Sequence, residues 1–95
     1  MYKVELSAVE AAARRLENVA LCSPLGLNET QSRKFGASVY FKREDLQQVR
    51  SYKIRGAFNK ISSIPPEDLK KGVVCASAGN HAQGVAYSCA RKKVK

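Results

Sequence analysis

The run Val73-Val74-Cys75-Ala76-Ser77 passes straight into Ala78-Gly79-Asn80 and then into a helical pattern. An unbroken run of small apolar residues suits a strand covered on both faces, as strands are in parallel sheets. Gly79 breaks the run, and Ala82, Val85, Ala86 and Cys89 then recur on one helical face. A buried strand, a tight loop and a helix in that order leave few folds open. The pattern predicts an α/β protein in which helices cover a mostly parallel sheet.

The upstream residues fit that frame. Ser7 and Glu10 form a capping box, and Val9, Ala12, Ala13, Leu16, Val19 and Ala20 make the apolar stripe of a helix that Pro24 should stop. Asn28 is the expected cap of a short second helix, with Gly36 at its C′ position. Residues 38–42 alternate and are rich in β-branched and aromatic types, which predicts a strand, followed by a polar connection. From Ser51 a helix starts, with Ile54, Ala57, Phe58 and Ile61 on its buried face. Residues 62–72 read as a proline-started turn and short helix closed by Gly72. The predicted order is α-α-β-α-α-β-α. Two strands cannot by themselves make a stable doubly wound layer. Residues 1–95 are therefore expected to be the truncated N-terminal portion of a larger domain, with an incomplete parallel sheet and flanking helices.

Charge brings in a different class of function. The 17 Lys and Arg against 8 Asp and Glu give a net +9, an excess that raises nucleic-acid binding or an acidic partner. The basic residues are spread along the chain and no nucleic-acid motif accompanies them, so a small basic binding module stands as the alternative. Three cysteines without a C-x-x-C spacing, and one histidine, do not assemble a structural zinc site. Cys22, Cys75 and Cys89 are expected to be reduced and buried. No apolar run is long enough to cross a bilayer, and residues 1–10 lack the apolar core of a signal peptide, so a cytoplasmic location is expected.

Two stretches carry chemistry. Lys53 opens a helix between Arg50 and Arg55, beside Tyr52. A lysine so placed can act covalently on a carbonyl if its amine is kept neutral. A solvated lysine in a basic helix is the plainer reading. The loop Ser77-Ala78-Gly79-Asn80 aims unpaired backbone N–H groups at one spot as it enters the helix, which suits a carboxylate or phosphate. Simple capping by Asn80 explains it equally well. His81 has no second histidine to pair with, and the adjacent carboxylates Glu44 and Asp45 are expected to be a solvated pair or to bind Arg43 or Arg55 rather than act as an acid–base pair.

Taken together, K-R-E-D-L-Q at 42–47, S-Y-K-x-R-G-A at 51–57 and S-A-G-N-H-A-Q-G at 77–84 resemble the pyridoxal-phosphate enzymes of fold type II. Within that tryptophan synthase β-like architecture they are most similar to the threonine dehydratases (threonine ammonia-lyases), from about Leu6 to Lys95. The resemblance implies that Lys53 is the catalytic lysine holding the cofactor, with Tyr52 near its ring and Asn80 bonded to its ring hydroxyl. It further implies that Ser77, Ala78, Gly79, Asn80 and His81 grip the carboxylate of an amino-acid substrate. The implied reaction converts L-threonine, or less efficiently L-serine, to a 2-oxo acid and ammonia. Serine-racemising members carry a second serine where this chain has Ala78, so a dehydratase is expected. Full-length members are expected to be homo-oligomers.

The chain departs from the family in three places. The glycine-rich loop that cradles the cofactor phosphate has no counterpart here, since all six glycines are isolated. The partner of the pyridine nitrogen is missing too, and Lys92 falls on the row of Val85 and Cys89 where an apolar residue is usual. The chain alone is therefore expected to be inactive and poorly folded, either as a truncated enzyme or as one half of a split one.

Overall fold

The computed structural model describes residues 3–95 of the chain. In order along it come α1 (Leu6–Leu16), β1 (Leu25–Leu27), α2 (Glu29–Phe35), β2 (Tyr40–Lys42), a 3-10 turn (Glu44–Leu46), α3 (Lys53–Ser62), α4 (Pro66–Leu69) and α5 (Asn80–Lys92).

The core is the seam between α3 and α5. The i, i+3, i+4, i+7 face of α3 is buried as its spacing requires, with Ile54 at 0% exposure and Ala57, Phe58 and Ile61 beside it. Val85 and Cys89 of α5 complete the cluster, and Leu69, Val73 and Val94 pack on its margin. Ser88 is fully buried on the same helix, and its hydroxyl donates to the Gly84 carbonyl at 2.7 Å, which satisfies it locally. Lys92, on that row, does not bury its charge. Its Nζ lies over the Phe58 ring, 5.9 Å from the centroid, so the stem covers apolar surface while the ammonium stays in water.

Helix α2 has the expected ends. Asn28 Oδ1 accepts the Gln31 N–H at 2.8 Å, and Gly36 takes the left-handed conformation at φ 61°. Helix α1 differs at both of its ends. Leu6 is its first residue and Glu5 its N-cap, without a side-chain bond, so Ser7 already lies inside the helix and the Ser7–Glu10 box does not form. It stops at Leu16 rather than near Pro24, because Asn18 turns left-handed at φ 60° and Val19 and Ala20 fold back onto the Leu16 carbonyl.

The sheet is where expectation and structure part most. The strand expected at 38–42 narrows to Tyr40–Lys42 and pairs antiparallel with β1, Leu25 opposite Lys42. Those two strands are the only ladder among the described residues. The run 73–77 is not laddered, and it is not buried on both faces: Val74 is 97% exposed and Cys75 is exposed. Its one strand-like bond is from the Val73 N–H to the Lys95 carbonyl, at 2.8 Å. A both-faces-buried strand needs neighbours on its two edges, and here Lys95 alone lies alongside. The radius of gyration, 16.2 Å, exceeds the roughly 13 Å of a compact domain of about this size.

Candidate active site

A cleft of about 450 Å³ opens along α3. Tyr52 and Lys53 stand at one end, His81 and Val85 of α5 form one wall, and Val73 to Cys75 form another. Lys53 is the first residue of α3 and half-buried, with its Nζ 5.0 Å from the centroid of the Tyr52 ring. That is within the range in which a ring face attracts an ammonium. Tyr52 is 61% exposed and leaves its ring free on the outer side. No side chain caps this helix strongly: Tyr52 makes no cap bond, and the Lys53 N–H reaches Ser51 Oγ only at 3.4 Å.

The approach of α5 to Lys53 depends on a glycine. A Cβ on Gly84 would come within 3.1 Å of the Lys53 carbonyl oxygen and 3.3 Å of the Ala57 Cβ. A larger residue would be tight enough there that the Lys53 backbone or Ala57 would have to give way by a few tenths of an ångström. Gly56, one turn after Lys53, lines the cleft and has nothing within 4 Å of where its Cβ would be. Sequence reasoning missed both roles. The signal for Gly84 was present, since it falls one position before Val85 on the face turned to α3.

The loop before α5 is organised by Ser77. Its Oγ accepts the N–H groups of Gly79 at 3.3 Å and Ala82 at 3.2 Å, while Gly79 is the N-cap and Asn80 the first helical residue. Capping by Asn80 is thereby corrected. The N–H groups of Asn80 and His81 have no intramolecular partner among the described residues, and both point of entry and chemistry suit an anion. Tyr52, Lys53 and His81 share the cleft, whereas Ser77, Ala78, Gly79 and Asn80 are exposed and lie outside its lining.

On the far side of α3, Arg55 Nε donates to Glu44 Oε1 and Arg55 Nη2 to the Leu21 carbonyl at 3.1 Å. Burial pushes the Glu44 carboxyl up, but the bonds from Arg55 and Gln47 and the charges of Arg55 and Lys42 outweigh it and hold it below the usual carboxylate value. Asp45 is bound by Arg43 at 2.8 Å instead. Each carboxylate thus has its own arginine, so of the two expectations the ion pair holds and the solvated pair does not. The cysteines differ from expectation: Cys22 and Cys75 are exposed and only Cys89 is buried, burial and the nearby Cys75 raising its pKa.

The residues fit part of a pyridoxal phosphate site. The cleft has an amine at one end, an aromatic ring beside it, and Ile61, Ile64 and Val85 as apolar wall for a flat heterocycle. The glycines remain isolated, and none builds a phosphate cradle.

Residues 21–95 match a family model described as pyridoxal-phosphate dependent enzyme. The "L-threonine dehydratase biosynthetic IlvA" of Halalkalibacterium halodurans is 56% identical over 89 residues, covering 94% of this chain and 21% of that protein. Its counterpart in Mycobacterium leprae is 54% identical over 81 residues, 85% of this chain and 19% of that one. Among solved structures, the serine racemase of Dictyostelium discoideum superposes with a TM-score of 0.89 at 40% identity, over 97% of this chain and 30% of that one. The processed form of threonine deaminase isoform 2 from Solanum lycopersicum gives 0.76 at 43% identity, over 97% and 26%. The chain spans about a fifth of the length of the curated relatives it matches.

Proposed function

The chain belongs to the pyridoxal-phosphate dependent enzyme family, and on that premise we propose that it is the lysine-bearing N-terminal portion of a threonine dehydratase catalytic domain. The observation that carries the reading is the position of Lys53, first on α3 and facing the cleft that the first turn of α5 also lines. The relatives' names supply the substrate, L-threonine, and L-serine follows as the smaller homologue with the same β-hydroxyl.

Lys53 would hold the cofactor, with the Tyr52 ring at its side and Asn80 reaching the ring hydroxyl. When bound, pyridoxal phosphate supplies an electron sink for a carbanion at the substrate Cα. Lys53 Nζ, once the substrate amine has taken its place, would be the base that takes the Cα proton. The unpaired N–H groups of Asn80 and His81, with the Ser77 hydroxyl ordering the loop around Gly79, would orient the substrate carboxylate. The Ala78 side chain has no group that can take up or give a proton, so the opposite face of Cα would have no base at that position. Loss of the β-hydroxyl as water would leave an enamine, which a water molecule would hydrolyse to 2-oxobutanoate and ammonia. We place this activity in the cytoplasm, in homo-oligomers of the full-length enzyme, and the biosynthetic names of the relatives favour isoleucine formation over threonine breakdown.

A second reading, serine racemisation, draws on the TM-score of 0.89 to the Dictyostelium serine racemase. Ala78 weighs against it. The test is a chimera in which this chain replaces the matching segment of the Halalkalibacterium halodurans protein. Ammonia release from L-threonine that disappears in Lys53→Ala is the expected result. D-serine formation without threonine turnover would favour the racemase, and neither activity in a folded, cofactor-bound chimera would refute both.

A further inference from the structure

We propose that Arg55 is a positioning residue for Lys53, fixing the first turn of α3 from behind so that the amine keeps its place in the cleft; this rests on Lys53 being the cofactor-binding amine. Residues two apart on a helix point about 200° apart, so Arg55 leaves the helix on nearly the opposite side from Lys53. Ile54, between them, is 0% exposed and sets the inward side of the turn.

The Arg55 guanidinium meets two acceptors from two other segments, Glu44 Oε1 in the 3-10 turn and the Leu21 carbonyl after α1. Both are themselves held. Gln47, 0% exposed, donates from Nε2 to Glu44 Oε2 at 2.6 Å and to the Leu21 carbonyl at 2.7 Å, while its Oε1 accepts the Leu21 N–H at 2.8 Å. Leu21, Glu44, Gln47 and Arg55 thus close into one network across three stretches of chain. Helix α3 needs such a hold because its own N-terminus has no strong cap, only the 3.4 Å contact to Ser51 Oγ. A rigid planar fork holds two acceptors in a fixed geometry, which a rotatable ammonium on a flexible stem does not.

A purely stabilising network predicts something different from a positioning one, and Gln47 separates them. Gln47→Leu removes the bonds to Leu21 and to Glu44 Oε2 yet leaves the Arg55–Glu44 ion pair itself. The readout is covalent labelling of the full chain with pyridoxal phosphate and borohydride, quantified by peptide mass spectrometry as the ratio of adduct at Lys53 to adduct at Lys60. Lys60 lines the same cleft and serves as internal reference. Wild type should favour Lys53. Arg55→Met and Glu44→Ala should lower the ratio on the order of ten- to a hundredfold, the scale of a displaced reacting group. Arg55→Lys should give a ratio between these and wild type, with its helicity by circular dichroism intact, and it decides the matter if Arg55→Met loses helix. Gln47→Leu should unfold at lower temperature but keep the wild-type ratio. A wild-type ratio in Arg55→Lys, or an equal fall in Gln47→Leu and Arg55→Met, overturns the positioning role. If wild type shows no preference for Lys53, the cofactor reading fails first, and this inference with it.

Discussion

The Lys53 carbonyl oxygen sits 3.1 Å from where a Cβ on Gly84 would stand, so the residue that offers the amine is packed backbone-first against α5. Gly84→Ala should therefore be destabilising. Helix propensity favours alanine by about 1 kcal/mol, but overpacking against backbone typically costs about 1–3 kcal/mol. The Lys53 carbonyl and Ala57 cannot swing aside as a flexible side chain would. Gly56→Ala is the opposite case: its Cβ meets nothing within 4 Å, so it should stabilise by up to about 1 kcal/mol. Thermal unfolding of the two variants checks the order, and a more stable Gly84→Ala would contradict this packing.

Ser77 and Asn80 should separate structure from binding. Ser77 Oγ holds the Gly79 and Ala82 N–H groups, and its removal should fray the start of α5 at a cost of about 1 kcal/mol. Asn80, whose exposed side chain makes no bond to any described residue, should tolerate alanine within about 0.5 kcal/mol. In the chimera, Asn80→Ala should nonetheless weaken cofactor binding, measured by titration of absorbance. Asn80→Ala that destabilises the fold and leaves cofactor affinity unchanged would reverse the two roles.

These residues also show what could be read from the sequence. The cap and stop of α2 and the buried face of α3 depend on neighbours within a few positions, and both were legible. Strand β1 was not, because Leu25-Gly26-Leu27 is too short to show a period and exists only through pairing with Tyr40–Lys42. The run 73–77 has the composition of a buried strand, but composition cannot supply the neighbours that would cover Val74. Asn18 ended α1 through its own left-handed turn, a choice that propensity leaves open. At the proposed site, Lys53 and the loop were singled out by residue type, whereas Gly84 and Arg55 act through close approach and a three-segment network that no local pattern records.

The Glu44–Arg55 pair should give an acid-sensitive contribution to stability. Because the folded-state pKa of Glu44 is lowered from 4.5, its contribution is fully present above that value and is lost as pH falls through the lower folded one. Thermal midpoints of wild type and Glu44→Gln, followed from about pH 6 down to about pH 3, should converge at the acid end. A constant gap between them over that range would show that the carboxylate charge is not what stabilises the pair.

The thiols should react in the order of their exposure. Iodoacetamide should modify Cys22 and Cys75 rapidly in the native chain and Cys89 only on unfolding, since burial both shields Cys89 and disfavours its thiolate. Mass spectrometry after a short pulse decides this, and early modification of Cys89 would mean that the α3–α5 seam is open in solution.

The most direct measurement bears on Lys53 itself. The chimera loaded with pyridoxal phosphate is reduced with borohydride, digested and mapped by mass spectrometry. The expected adduct lies on the peptide that contains Lys53 and vanishes in Lys53→Arg. An adduct carried by any other lysine while Lys53 stays unmodified would contradict the assignment of the amine at the start of α3.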